Sequence, residues 1–166
     1  MAAALGINQM AKEKSQGQLK DDNDRTTSMG LFNTAEAYRL SAAVLDKTQV
    51  KTGHAAKPVQ FLYSHAIELY LKALLRTQHS VGVVEKYSHN IGRLVKDAET
   101  LGLFVTAGDR EVFAVMTDTN ALIEMRYIRT GTTTPLDLKA LSRTCKSVRD
   151  SIGDLLRKAG VPVRLG

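Results

Sequence analysis

Residues Tyr63–Arg76 read YSHAIELYLKALLR, and the way this stretch distributes its polar residues decides the fold. Successive residues of an α-helix stand about 100° apart, so residues three and four apart share a face. On that projection Leu62, Ala66, Leu69 and Ala73 form one apolar stripe, and Tyr63, Ile67, Tyr70 and Leu74 form a second. Leu71 and Leu75 carry the apolar surface further round. His65, Glu68, Lys72 and Arg76 are confined to the wedge that remains. A surface helix has a broad polar face. A helix with only a thin polar stripe belongs at the centre of an assembly, with neighbours on more than one side. Pro58 suits an early helical position, so the spacing predicts a helix over 58–78.

The flanking sequence supplies those neighbours. Leu31, Ala35, Tyr38, Ala42 and Leu45 fall on one helical stripe, predicting a helix over 31–48. SVGVVEKYS reads as a connection. Ser88 then caps a short helix over 89–101, with Ile91, Leu94, Val95 and Ala98 inward and Gly102 as its stop. A further helix is expected over 107–130, where Val112, Val115, Met116, Thr119, Leu122 and Ile123 make a stripe that continues to Arg126. In TTPLD, Thr134 reads as a cap, Pro135 as the first helical residue and Asp137 as part of the first turn. That last helix runs to about Ala159, before Gly160 and Pro162. Its residues Leu138, Leu141, Cys145, Val148, Ile152 and Leu155 form a heptad-like seam, to be buried inside the bundle or against a second subunit. Lys139, Arg143, Lys146, Arg149, Arg157 and Lys158 are assigned to its other face.

The expected fold is therefore all-α: an up-and-down bundle of four to five helices with a flexible N-terminal arm. Residues 1–28 read as tail, 29–160 as the bundle and 161–166 as a C-terminal tail. The length of 166 residues fits one domain. Hydrophobic residues at 43% and charged residues at 24% match an ordinary soluble chain. Cys145 is the sole cysteine, which excludes an internal disulfide and a cysteine-based zinc site. The start MAAALGINQMAKEKSQGQ lacks the pattern of a signal peptide, and no apolar run is long enough to span a bilayer. A cytoplasmic location without membrane contact is the expectation. The net charge of +6 suits an acidic partner such as nucleic acid, and equally a surface with a modest excess of lysine and arginine.

Three places, in this order, resemble the HEPN domain (higher eukaryotes and prokaryotes nucleotide-binding). HAIELYLKALL is similar to the family's signature helix. YSHNIGRLVKDAETLGL is similar to its His-Asp/Asn-Leu segment and following helix. MRYIRTG is similar to its Arg-Tyr element. The likeness covers roughly residues 30–158. It implies a helical bundle, frequently a homodimer, engaged with RNA or nucleotides in toxin–antitoxin, phage-defence or RNA-processing systems. Active relatives are metal-independent ribonucleases that use an arginine followed, after four to six residues, by a histidine. None of His54, His65, His79 or His89 stands at that distance after an arginine. RNA cleavage needs a base, an acid and positive charge at the phosphate, and arginine alone supplies only the last.

Glu68 and Arg126 form the sharpest candidate pair, because each is expected on a buried face and a buried charge needs a partner. They either lock two helices together, or Arg126 holds a phosphate. Lys72 extends the same polar line or reaches out to solvent. His65, one turn before Glu68, is a structural histidine or a general acid or base. His89 fixes the loop–helix junction or joins a composite site. Tyr127 stacks on a base or packs in the core or a dimer interface. The ligand-contacting candidates are thus Glu68, Lys72, Arg126, Tyr127 and Arg129, and the catalytic candidates Arg126, His65 and His89. Cys145 reads as packing. No cofactor or metal is expected: the chain has no glycine-rich phosphate loop, no His-Glu-x-x-His and no nucleophile elbow, and His65-Ala-Ile-Glu68 reverses the order of a di-iron motif.

These residues lead to a non-catalytic or degenerate HEPN-like protein that binds RNA, a nucleotide or a partner protein such as a cognate antitoxin. The alternatives are a ribonuclease toxin with a rearranged site, and a structural adaptor or dimerisation module.

Overall fold

The computed structural model describes residues 25–48, 56–118 and 136–164. Among them the chain is all-helical: α1 Ser28–Lys47, α2 Ala56–Leu75, α3 Val81–Glu85, α4 Ile91–Thr100, α5 Ala107–Asp118 and α6 Leu138–Lys158. The helix with the thin polar stripe, α2, lies at the centre of the bundle, packed against α1, α4 and α6, while α5 rests on α4 and α6. Its apolar girth explains that position. Tyr63, Ala66, Ile67, Tyr70, Leu71, Ala73, Leu74 and Leu75 are all buried, and Leu62 and Leu69 pack against the core from its edge. Phe32 of α1 meets Tyr70 edge-on, with ring centroids 5.1 Å apart.

The seam of α6 is buried within the chain. Leu141, Cys145, Val148 and Ile152 are inside. The seam then shifts by one residue, so that Leu156 is buried and Leu155 only partly so. Arg149 departs from expectation more sharply. It is buried rather than displayed on the outer face.

Helix ends are fixed by local chemistry. Thr27 caps α1, accepting from the Gly30 N–H at 3.0 Å. At α4 the cap is Asn90, which accepts from the Arg93 N–H at 2.9 Å. Ser88 is not the cap; it stands in the left-handed region with φ 50°. Asp137 caps α6 rather than sitting in its first turn, accepting from the Ala140 N–H at 2.9 Å. Thr134, Pro135 and the expected continuation of α5 to residue 130 lie outside the described residues. Gly102 and Gly160, both with positive φ, end α4 and α6. In each case the glycine N–H and the one after it reach back to carbonyls of the last turn, Leu103 to Ala98 and Val161 to Leu156.

Two expected boundaries move. Residues 81–85, read as a connection, form a short helix with Val81 and Val84 buried. The count among the described residues is therefore six rather than four to five. Val163 is buried, so the stretch just after α6 joins the core instead of trailing from it.

Asp109 ties α5 to α6. It accepts from the Thr106 N–H at 3.2 Å while Thr106 Oγ1 accepts from the Asp109 N–H at 3.2 Å, a reciprocal capping pair. Its carboxylate also receives the hydroxyls of Thr144 at 2.7 Å and Ser147 at 3.1 Å. Burial works against the charged form of Asp109, but these donors prevail and lower its pKa. Replacing Asp109 with alanine removes a cap and strands the buried Thr144 hydroxyl. The expected loss is about 2–3 kcal/mol, read by urea unfolding of Asp109→Ala against wild type.

Candidate functional site

The polar stripe of α2 divides into two parts. Arg76 turns away from Glu68, its Nε donating to the Thr26 carbonyl at 2.9 Å and its Nη1 to the His79 carbonyl at 2.9 Å. It fastens the start of α1 and the turn after α2. The other three residues converge. Glu68 is 1% exposed. Lys72 Nζ donates to its Oε1 at 2.6 Å, and His89 Nδ1 lies 3.1 Å from both carboxylate oxygens. His65 Nδ1 stands 3.5 Å from Oε2, too far to count as a good hydrogen bond, and is otherwise without a partner among the described residues.

The helical repeat and one loop make this arrangement. His65, Glu68 and Lys72 are three and four residues apart and so share a face of α2. His89 arrives from the junction between α3 and α4, brought there as the chain turns through Ser88. Burial is the strongest single influence on Glu68 and pushes its carboxyl up. His65, Lys72 and His89 together outweigh it and hold the group at about 2. The carboxylate is thus ionised at neutral pH and can only accept hydrogen bonds, so the His89 Nδ1 facing it carries a proton. His65 is boxed in by aromatic rings: Tyr38 meets it edge-on at 4.6 Å and Phe61 stacks on it at 5.7 Å.

Of the residues singled out in the sequence, Glu68, Lys72, His65 and His89 therefore come together. Lys72 is drawn in to the carboxylate rather than extended into solvent, its side chain 16% exposed. Arg126, Tyr127 and Arg129 lie outside the described residues. Cys145 is fully buried, and burial pushes its thiol up to about 12, which suits packing and not nucleophilic work. Among the described residues no group of histidine, cysteine and carboxylate side chains is arranged to hold a metal ion, and no helix is long and apolar enough to cross a membrane.

A second polar centre escaped the sequence reading. Glu36 of α1 accepts from Arg39 Nε and Nη2, both at 3.0 Å, from Arg149 Nε at 3.0 Å, and from the Tyr70 hydroxyl. Arg149 also donates to Asp150 at 2.9 Å. Burial raises the Glu36 carboxyl, and the donors Arg39, Tyr70 and Arg149 bring it down to about 2. Burial and the Glu36 carboxylate push the Tyr70 hydroxyl upward, so it stays a donor. The centre joins α1, α2 and α6. The i, i+3 spacing of Glu36 and Arg39 is the one signal of it that the sequence carries. Nothing in the pattern of α6 marked Arg149 as their partner.

On the outside of α6, Lys139, Arg143 and Lys146 are exposed and lie on one line, at spacings of four and three. None has an ion-pair partner among the described residues. Asp150, the next position on that line, gives its carboxylate to Arg149 instead. The Arg143 guanidinium lies against Gly108 at the start of α5.

No family model, curated protein or solved structure matches the chain.

Proposed function

We propose that the protein is a non-catalytic or degenerate HEPN-like module that binds RNA or a nucleotide through its phosphates. The observation that carries this reading is the line Lys139–Arg143–Lys146. Three cations stand on one exposed helix face, and none is paired with an acid among the described residues. On a helix rising 1.5 Å per residue the line spans roughly 10 Å, about the length of three phosphates along one strand of a duplex. The net charge of +6 and the order of the three resemblances support it. Glu68, by contrast, is committed to partners inside the bundle and works first as a brace. A defence or toxin–antitoxin setting, a cognate antitoxin as protein partner and a homodimer belong to the same reading and rest on the resemblance, while a cytoplasmic location rests on the sole cysteine and the N-terminal sequence pattern.

The test is titration of a fluorescent single-stranded RNA across a salt series. Each neutralised phosphate of a single strand contributes about −0.7 to the slope of log K against log salt. A variant with Lys139, Arg143 and Lys146 all replaced by glutamine should lose about 2 from that slope. Changing Arg157, which is paired with Asp154, should move it far less. RNA binding that is absent, or insensitive to salt, would sink the proposal.

One observation favours the ribonuclease alternative: His65 and His89 converge on a single carboxylate. The same RNA, followed on a gel in EDTA, separates the two. Cleavage by wild type that disappears in His89→Ala identifies the rearranged enzyme.

A further inference from the structure

We propose that His89 is a phosphoryl-acceptor site, whose Nε2 takes a phosphoryl group from a small acyl phosphate while Nδ1 remains hydrogen-bonded to Glu68. This goes beyond RNA binding and does not depend on it.

The geometry sorts the two ring nitrogens. Nδ1 faces both oxygens of Glu68 at 3.1 Å and donates to them. In the neutral ring the lone pair is then on Nε2. Nε2 has no hydrogen-bond partner among the described residues, and the His89 side chain is 25% exposed where Glu68 is 1% exposed. A dry carboxylate thus holds Nδ1 of a ring that is itself partly exposed. His65, on the same carboxylate, is packed against the rings of Tyr38 and Phe61 and is less exposed, at 16%.

Two further features lie at the same place. Ser88, directly before His89, is the one non-glycine residue with positive φ among the described residues. That conformation costs on the order of 1 kcal/mol, and such strained residues cluster at functional sites. His89 also directly precedes the N-cap of α4. Asn90 occupies the Arg93 N–H, while the N–H groups of Ile91 and Gly92 have no partner among the described residues. A helix N-terminus of this kind favours an anion beside it.

The Nε2 lone pair forms a bond to phosphorus. The bond from phosphorus to the acyl oxygen breaks, and the carboxylate leaves with the electron pair. The ring becomes an imidazolium, and its charge is met by Glu68, as a buried carboxylate does for histidine in hydrolytic triads. Lys72, on the other side of Glu68, keeps that carboxylate in place. No proton need cross to Glu68.

The experiment incubates the intact protein with acetyl phosphate and maps acid-labile, alkali-stable phosphate by mass spectrometry. His79 is the internal control, a histidine with no carboxylate partner among the described residues. His89 should be labelled at least about tenfold faster than His79, a difference of about 1.4 kcal/mol in barrier. Glu68→Gln should slow His89 about tenfold and leave His79 unchanged, the loss of one charge-assisted hydrogen bond. Labelling of His89 no faster than His79 in the wild type overturns the proposal, and needs no variant to fold. Equal rates in wild type and folded Glu68→Gln overturn it as well. RNA binding should survive His89→Ala, so failure of either reading is recognised separately.

Discussion

Replacing Glu68 with alanine should lower the free energy of unfolding by about 3–5 kcal/mol, the cost of removing one partner from a buried charge cluster. Glu68 is 1% exposed, and its removal leaves Lys72, whose side chain is 16% exposed, in a site that no longer offers its ammonium a carboxylate. His89 loses the acceptor of its Nδ1 proton, and His65 loses the nearest polar group to its own. For a domain of this size each kcal/mol corresponds to ~2–4 °C, so the melting temperature should fall by ~6–20 °C. Circular dichroism on heating, with urea unfolding beside it, measures both. Adding Lys72→Met to the alanine variant should recover part of the loss, because the stranded charge goes with it. A fall below about 1 kcal/mol in Glu68→Ala would mean that the cluster is an exposed pair of little consequence.

The same cluster sets an acid limit on stability. The Glu68 and Glu36 carboxyls are each held at about 2, below their ordinary value of 4.5. Their folded pKa values are depressed, so their contribution is present in full above the unfolded value. It is lost as pH falls from about 4.5 towards 2, where the unfolded chain binds protons that the native chain refuses. Unfolding free energy measured down this range should fall steeply in wild type. It should fall with a shallower slope in Glu68→Gln, and the gap between the two proteins should close as pH approaches 2. A constant gap would show that Glu68 is not the group responsible.

What the sequence made legible follows from periodicity. A wedge of four polar residues on an otherwise apolar helix placed α2 at the centre, and it is there. The inward faces of α4 and most of α6 could be read the same way, since a stripe at spacings of three and four has one physical meaning. The polar partners were harder. His65, Glu68 and Lys72 were known to share a face, but that His89 joins them depends on the path of a loop, and Ser88 takes a conformation that favours glycine. A projection of α6 puts Arg149 with the cations of the outer face, yet it is buried. Its place beside Val148 and Ile152 is compatible with burial only when a carboxylate waits on another helix, and a projection of α6 alone cannot show one. The short helix at 81–85 is not legible in the sequence, because five residues carry too little periodicity to separate a turn of helix from a connection.

The largest test of that second centre is a double-mutant cycle on Glu36 and Arg149. Arg149 is 7% exposed and hands its guanidinium to Glu36 through Nε at 3.0 Å and Nη2 at 3.3 Å. Glu36 takes donors from three helices, so truncating it strands more than one. Arg149 keeps Asp150, which is half exposed and a weak substitute, and the Tyr70 hydroxyl is left at the buried end of its ring. Glu36→Ala is therefore expected to cost about 3–5 kcal/mol. Arg149→Ala leaves Glu36 still held by Arg39 and Tyr70, and should cost less, about 2–3 kcal/mol. Both single variants break the same Glu36–Arg149 contact, so the double variant should be more stable than the sum of the singles by about 1–3 kcal/mol. Replacing both by Met and Leu tests the other side of the argument. A buried ion pair exchanged for apolar groups of similar volume is often neutral in stability. If that variant folds as firmly as wild type, the centre contributes register between α1, α2 and α6 rather than net energy. Additive singles, with no coupling, would show that Glu36 and Arg149 do not hold each other in solution.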